Sequence, residues 1–155
     1  MPGLQFYTKI TLVDGTKKQI DELFVGDKIL GYKDKKCVET FIQSISTEPF
    51  FVDEWVKLHI TTRGNMYEYG EYYPLTCTKK QLVYSTTKND YIEAENLSED
   101  DKVYVFFNKK LSEQIIISKK RNRPVLTTYK QLFRIQTLTN NFFASDILVK
   151  GFNPK

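Results

Sequence analysis

The chain has 155 residues, 41% hydrophobic and 27% charged, with 23 Lys and Arg against 19 Asp and Glu for a formal charge of +4. That length supports one domain burying roughly 70% of its unfolded surface, and 11 Phe with 10 Tyr exclude a disordered chain. No apolar run approaches the roughly 20 residues of a membrane-spanning helix, Met1–Gln5 has no basic or apolar leader character, and one histidine with two cysteines excludes a multi-histidine metal site or a disulfide framework.

Taken in order, short runs rich in Val, Ile, Thr, Tyr and Phe predict strands at Thr8–Val13, Asp27–Tyr32, Val38–Ile45, Glu54–Thr62, Leu82–Ser85, Lys102–Phe107 and Gln114–Ser118. Asp14-Gly15 predicts a two-residue hairpin turn. Ile20–Phe24 and Glu93–Leu97 each have room for one helical turn, and no segment sustains a helical period. The expected class is all-β, one domain over 1–155 with a core of about 3–151. Met66–Tyr73 is aromatic and polar and reads as a hairpin tip or an irregular strand. Lys119-Lys120-Arg121-Asn122-Arg123-Pro124 is the densest basic run. It reads as a solvated loop, or as a patch in which Lys119, Lys120, Arg121 and Arg123 contact the phosphates of a nucleic acid.

The segment Ile20-Asp21-Glu22-Leu23-Phe24-Val25-Gly26-Asp27-Lys28-Ile29 repeats in pattern as Ala94-Glu95-Asn96-Leu97-Ser98-Glu99-Asp100-Asp101-Lys102-Val103, about half the chain later. Both carry an acid, a leucine two residues on, then Asp-Lys and a β-branched residue. Two copies are too few for a solenoid and predict two intertwined β subdomains related by a pseudo-two-fold.

Three stretches resemble the Hint family of inteins and hedgehog-type autoprocessing domains. Thr8–Thr16 with Ile20–Tyr32 is similar to the intein N-terminal block, with its Asp-Gly turn and Leu-x-x-Gly-Asp element. Leu75–Tyr84 is similar to the block that normally reads Thr-x-x-His, and Ile135–Val149 to the C-terminal block that ends in His-Asn. The resemblance implies a Hint fold without room for a homing-endonuclease insert. Splicing in that family needs a Cys or Ser at the first position, a histidine in the second block, a penultimate histidine, a terminal asparagine and a following nucleophile. The matching positions here are Gly3, Gln81, Lys150, Gly151 and Phe152, with Thr78 kept and Arg134 where an aspartate often stands. Asn153 is a poor substitute for the terminal asparagine, because Pro154 follows it.

Other reactive side chains offer little. Cys77 reads as a small core residue, and His59 as structural on a strand. Cys37 follows Lys33-Asp34-Lys35-Lys36, whose cations are expected to lower its thiol pKa. Glu93, Glu95, Asp100 and Asp101 read as turn charges. The resulting expectation is a splicing-inactive Hint domain, without cofactor or metal, acting as a structural or binding module. Its partners would be a flanking or host protein or other subunits of an assembly, inside the cell or in a virion, with no membrane. Two other readings stay open: a mini-intein inactivated by substitution to trap its precursor, and a nucleic-acid-binding β domain.

Overall fold

A computed structural model of the chain describes residues 2–50, 55–60, 74–122 and 130–153. Strands dominate them and no α-helix occurs among them, because the apolar residues alternate or run in short β-branched groups rather than at helical spacing. The first half contains β1 (Lys9–Thr11), β2 (Lys17–Gln19), a 3-10 turn (Ile20–Glu22), β3 (Lys28–Lys33), β4 (Lys36–Phe50) and β5 (Trp55–Ile60). The second contains β6 (Leu75–Thr78), β7 (Leu82–Ser85), β8 (Asp90–Glu93), a 3-10 turn (Ala94–Asn96), β9 (Lys102–Phe107) and β10 (Lys110–Asn122). The C-terminal strands are β11 (Lys130–Thr137), β12 (Asn141–Ala144) and β13 (Ile147–Lys150).

The repeated segment is a structural repeat. Ile20 N–H donates to Thr8 O and Ala94 N–H to Gln81 O, both at 2.8 Å. Gly26 N–H donates to Ile42 O at 2.8 Å, and its counterpart Asp100 N–H to Ile116 O at 2.9 Å. Asp27 and Asp101 each cap their own turn, accepting from the N–H groups of Phe24 and Ser98 at 2.9 Å. The hairpins that follow also match. Lys28 faces Phe41 on β3–β4, and Lys102 faces Ile115 on β9–β10.

Strand order confirms that the halves are intertwined. One ten-stranded sheet runs β2-β1-β12-β13-β7-β9-β10-β5-β6, with β8 on β7, and a three-stranded sheet runs β11-β4-β3. Leu4 bridges the two, pairing with Phe133 of β11 on one side and Cys77 of β6 on the other. Between the layers lies a continuous apolar core that includes Leu4, Ile10, Ile29, Leu58, Leu75, Val83, Val103, Phe142 and Val149.

Turn chemistry departs from the sequence expectation. The Asp14-Gly15 hairpin has a three-residue loop: Leu12 N–H reaches Thr16 O at 2.7 Å and only Gly15 takes a positive φ, of 88°. Asp14 stabilises it by accepting from both the N–H and the hydroxyl of Thr16, at 3.0 and 2.6 Å. Two-residue turns with both φ angles positive occur instead at Asp34-Lys35, Asn108-Lys109 and Ser145-Asp146, none of which contains glycine. The last of these turns is fixed by an ion pair from Lys17 to the buried Asp146 carboxylate at 2.9 Å.

The side chain of Asn141 joins the C-terminal strands to the first half. Its Oδ1 accepts from Tyr32 N–H at 2.8 Å and Thr139 Oγ1 at 3.0 Å, while Nδ2 donates to Tyr32 O at 2.8 Å and the Tyr91 hydroxyl at 3.1 Å. All four of its hydrogen-bonding positions are thereby used, and it pairs with the Tyr32 backbone as a neighbouring strand would. Asn141→Ala leaves that backbone without its side-chain partners and is expected to cost at least about 2 kcal/mol, measured by chemical denaturation. An unchanged midpoint and slope would show that the contact is dispensable.

Candidate functional site

The N-terminal segment is threaded between β6 and β11 as an additional short strand. Leu4 exchanges both backbone hydrogen bonds with Phe133, at 2.9 and 3.0 Å. On its other side Gln5 N–H donates to Thr76 O at 3.3 Å, and Thr78 N–H donates to Gly3 O at 3.0 Å. The Gly3 carbonyl is therefore held by the backbone of Thr78. Phe152 N–H donates to Ile135 O at 2.8 Å and Gly151 N–H to Asn140 O at 2.8 Å, so the chain leaves along β11 as well.

These constraints bring most of the sequence-predicted positions into one place. Pro2, Gln81, Leu82, Lys150, Gly151, Phe152 and Asn153 line a cavity of about 340 Å³. The Gln81 Nε2 donates to the backbone oxygens of Leu82 at 3.2 Å and Lys150 at 3.1 Å, tying β7 to the end of β13. The Arg134 guanidinium, buried on β11, lies 4.8 Å from the centre of the Phe152 ring. Lys150 Nζ stands 5.6 Å from the centre of the Tyr91 ring.

Among the described residues, no hydroxyl, thiol, carboxyl or imidazole lines that cavity. Gln81 donates and accepts hydrogen bonds but carries no titratable proton. Two positions are occupied by neighbouring groups as well as lacking a reactive side chain. A Cβ added at Gly3 would overlap the side chain of Leu132, which is fully buried on β11. A Cβ at Gly151 would overlap the Gln136 Oε1 and come within 3.3 Å of the Asn140 backbone. Sequence reading did not anticipate Leu132, Gln136 and Asn140, whose place beside Gly3 and Gly151 depends entirely on the approach of β11 and the turn after it.

The other reactive side chains lie elsewhere. Cys77 is fully buried beside Val56, with its thiol pKa pushed up to about 12 by burial, and packs as the sequence implied. Burial also raises the Cys37 thiol pKa, against the expectation that Lys35 and Lys36 would lower it: the side chain packs into the cluster around Leu30, Phe143 and Leu148. Among the described residues no group of three or more His, Cys, Asp and Glu could hold a metal ion, and no helix is long and apolar enough to cross a membrane.

Lys119, Lys120 and Arg121 form part of β10 rather than a loop. The Lys119 ammonium donates to Glu95 O at 2.9 Å, and its N–H to Glu99 at 3.5 Å. Lys120 faces Lys57 across the β10–β5 pair, and His59 faces Ser118. Arg123, Pro124 and the 66–73 aromatic stretch lie outside the described residues.

No family model and no curated protein sequence matches the chain. Solved structures do match. The DnaB intein from Synechocystis sp. PCC 6803 aligns with a TM-score of 0.77 at 14% identity, over 99% of this chain and 100% of that one. This is the intein, or Hint, fold. The gp41-1 intein aligns with a TM-score of 0.70 at 16% identity, over 97% and 99% of the two chains. A bacterial intein-like domain from Clostridium thermocellum gives 0.76 at 15% identity, over the same shares. The Hint fold is retained at full length, with the two ends of the domain meeting at one cavity.

The packing at Gly3 is directly measurable. Gly3→Ala is expected to destabilise the domain by about 1–3 kcal/mol through overpacking. Combined with Leu132→Ala it should cost less than the sum of the two single changes, as read by denaturation; strict additivity would show that Leu132 does not fill this position.

His59 on β5 makes the stability of the domain depend on pH. Burial lowers its pKa, and the charges of Lys120 and Lys57 add to the effect. With the folded value below the unfolded one of about 6.5, the unfolded chain binds more protons in mild acid. The contribution of His59 to stability is therefore present above that unfolded value and is lost as pH falls through the folded one. NMR titration should place His59 below the ordinary histidine value, and Lys120→Gln should move it upward.

Proposed function

We propose that this is a Hint-fold domain that does not splice or cleave itself and that serves as a structural or binding module joined to a host chain or to other subunits of an assembly. The observation carrying this reading is the state of the site. Gly3 and Gly151 stand at the two backbone positions where the chemistry would require side chains, and Leu132, Gln136 and Asn140 take up the space. Gln81, in place of the proton-transfer histidine, spends its amide hydrogens on backbone oxygens and so acts as a strand-to-strand tie.

A splicing site recently vacated by substitution would be expected to leave room for the missing groups. At Gly3 the buried Leu132 side chain already occupies that room, which favours a scaffold adapted to its residues over a trapped precursor; at Gly151 the overlapping atom is the movable Gln136 amide oxygen. The geometry suits a connecting role, since Pro2 and Asn153 border the same cavity. A domain with adjacent ends can sit within a host loop at little cost to the host fold.

The test is intact mass. The domain is placed between two reporter proteins and incubated with and without thiol at neutral pH. Full-length mass is expected throughout. A companion fusion carries Gly3→Cys, Gln81→His, Lys150→His, Gly151→Asn and Phe152→Cys, together with Leu132→Ala to clear the first position. Cleavage is expected only in that companion; a spliced or cleaved product from the native fusion would overturn the reading.

A further inference from the structure

The pseudo-two-fold relates the β10–β5 ladder to the β4–β11 ladder, so each is a control for the residues of the other. In both, one residue of the longer strand is passed over at the same place. Ile116 faces Ile60 and Ser118 faces His59, as Ile42 faces Thr137 and Ser44 faces Gln136. Beyond that irregularity Lys120 faces Lys57, where the other ladder has Ser46 facing Arg134. The first half therefore sets a neutral hydroxyl against its cation, and the second sets one ammonium against another. Like charges directly opposite on neighbouring strands are destabilising, and the Ser46–Arg134 pair shows that the ladder closes without them.

The two lysines and His59 share one face of the sheet. Val56, Leu58 and Ile60 of β5 turn into the core, so the alternate residues Lys57 and His59 turn away from it, together with Lys120 and Ser118 across the strand pair. Lys57 and His59 are half-buried and Lys120 is exposed. Burial, and then the charges of Lys120 and Lys57, disfavour the protonated imidazole of His59, which is neutral at pH 7. The other described residues that this register places on the face, Trp55, Thr76, Thr78 and Ser118, are uncharged. Lys119 alternates to the other side of β10, where its ammonium donates to Glu95 O at 2.9 Å.

We propose that Lys57 and Lys120, with His59 beside them, form a binding site for a phosphate monoester. The facing ammonium groups present three N–H donors each and two positive charges in all. A phosphate monoester carries close to two negative charges at neutral pH, on three strong acceptor oxygens. Seated between the lysines, it replaces the repulsion across the ladder with two attractions. A carboxylate or a phosphodiester brings a single negative charge and leaves one ammonium uncompensated. The site shares no residue with the cavity at the ends of the domain, and it does not depend on whether the domain cleaves itself.

His59 is the single histidine of the chain, so its imidazole signals report on the site by NMR. The full chain is titrated at neutral pH and constant ionic strength with inorganic phosphate, phenyl phosphate, acetate, and a single-stranded oligonucleotide lacking a terminal phosphate. Both phosphates are expected to shift the signals saturably in the millimolar range, and acetate is not. Lys120→Ser copies Ser46 of the other half, so the fold should tolerate it with a melting temperature no lower than that of the wild type. It should raise the phosphate dissociation constant at least about tenfold, and Lys57→Gln should do the same. Lys119→Gln, on the other side of β10, should leave binding within about twofold of the wild type. The proposal is overturned if acetate acts as phosphate does, if phenyl phosphate fails to bind, or if Lys120→Ser and Lys57→Gln bind like the wild type. It is also overturned if Lys119→Gln weakens binding as much as they do, or if the oligonucleotide binds more tightly than phosphate, which would assign the face to a nucleic-acid backbone.

Discussion

The backbone crossing at Leu4 and Cys77 is the constraint on which the rest of the fold depends. Gln5 donates to Thr76 and Thr78 donates to Gly3, so that each half of the molecule makes to the other the bond it receives. The pseudo-two-fold passes through this pair. Because Leu4 also exchanges bonds with Phe133, the same short segment closes the gap between β6 and β11. Without it, both strands would present an unpaired edge of backbone donors and acceptors. The segment that holds Gly3 and Leu4 is therefore the one that joins the two sheets.

That crossing places few demands on side chains. The hydrogen bonds at the crossing involve only the backbone, and Gly3, Thr78 and Phe152 can all make them whatever their side chains do. The closeness of β11 works against any larger residue at Gly3. Leu132 is fully buried there and packs with Trp55, and its methyl groups occupy the volume a Cβ would need. A glycine at position 3 and the Leu132 side chain beside it together keep the packing density that protein interiors hold close to that of organic crystals.

Internal symmetry also separates what the fold requires from what this chain has added. Asp27 and Asp101, the two 3-10 turns and the paired hairpins occur in both halves because the same backbone geometry imposes the same demands on both. Differences between matching positions escape that explanation. Lys120 against Ser46 is one such difference. Gln81 against Thr8 is another: each gives its backbone carbonyl to a 3-10 turn, but only Gln81 reaches across to the end of β13.

By itself the sequence determined the class of fold and the repeat. Alternating β-branched and aromatic residues set the strands, and Asp-Lys after a leucine marked both turns. These features are local, written in spacing and residue type. Strand lengths, the glycine-free turns at Asp34-Lys35, Asn108-Lys109 and Ser145-Asp146, and the fate of Cys37 were not legible, because pairing and burial decide them. Above all, only the tertiary structure decided that Gly3 and Gly151 are crowded by neighbouring residues. Leu132 and Gln136 are far from Gly3 and Gly151 in sequence for the first and unremarkable in type for both, and their effect exists only because β11 passes within contact of both ends of the domain.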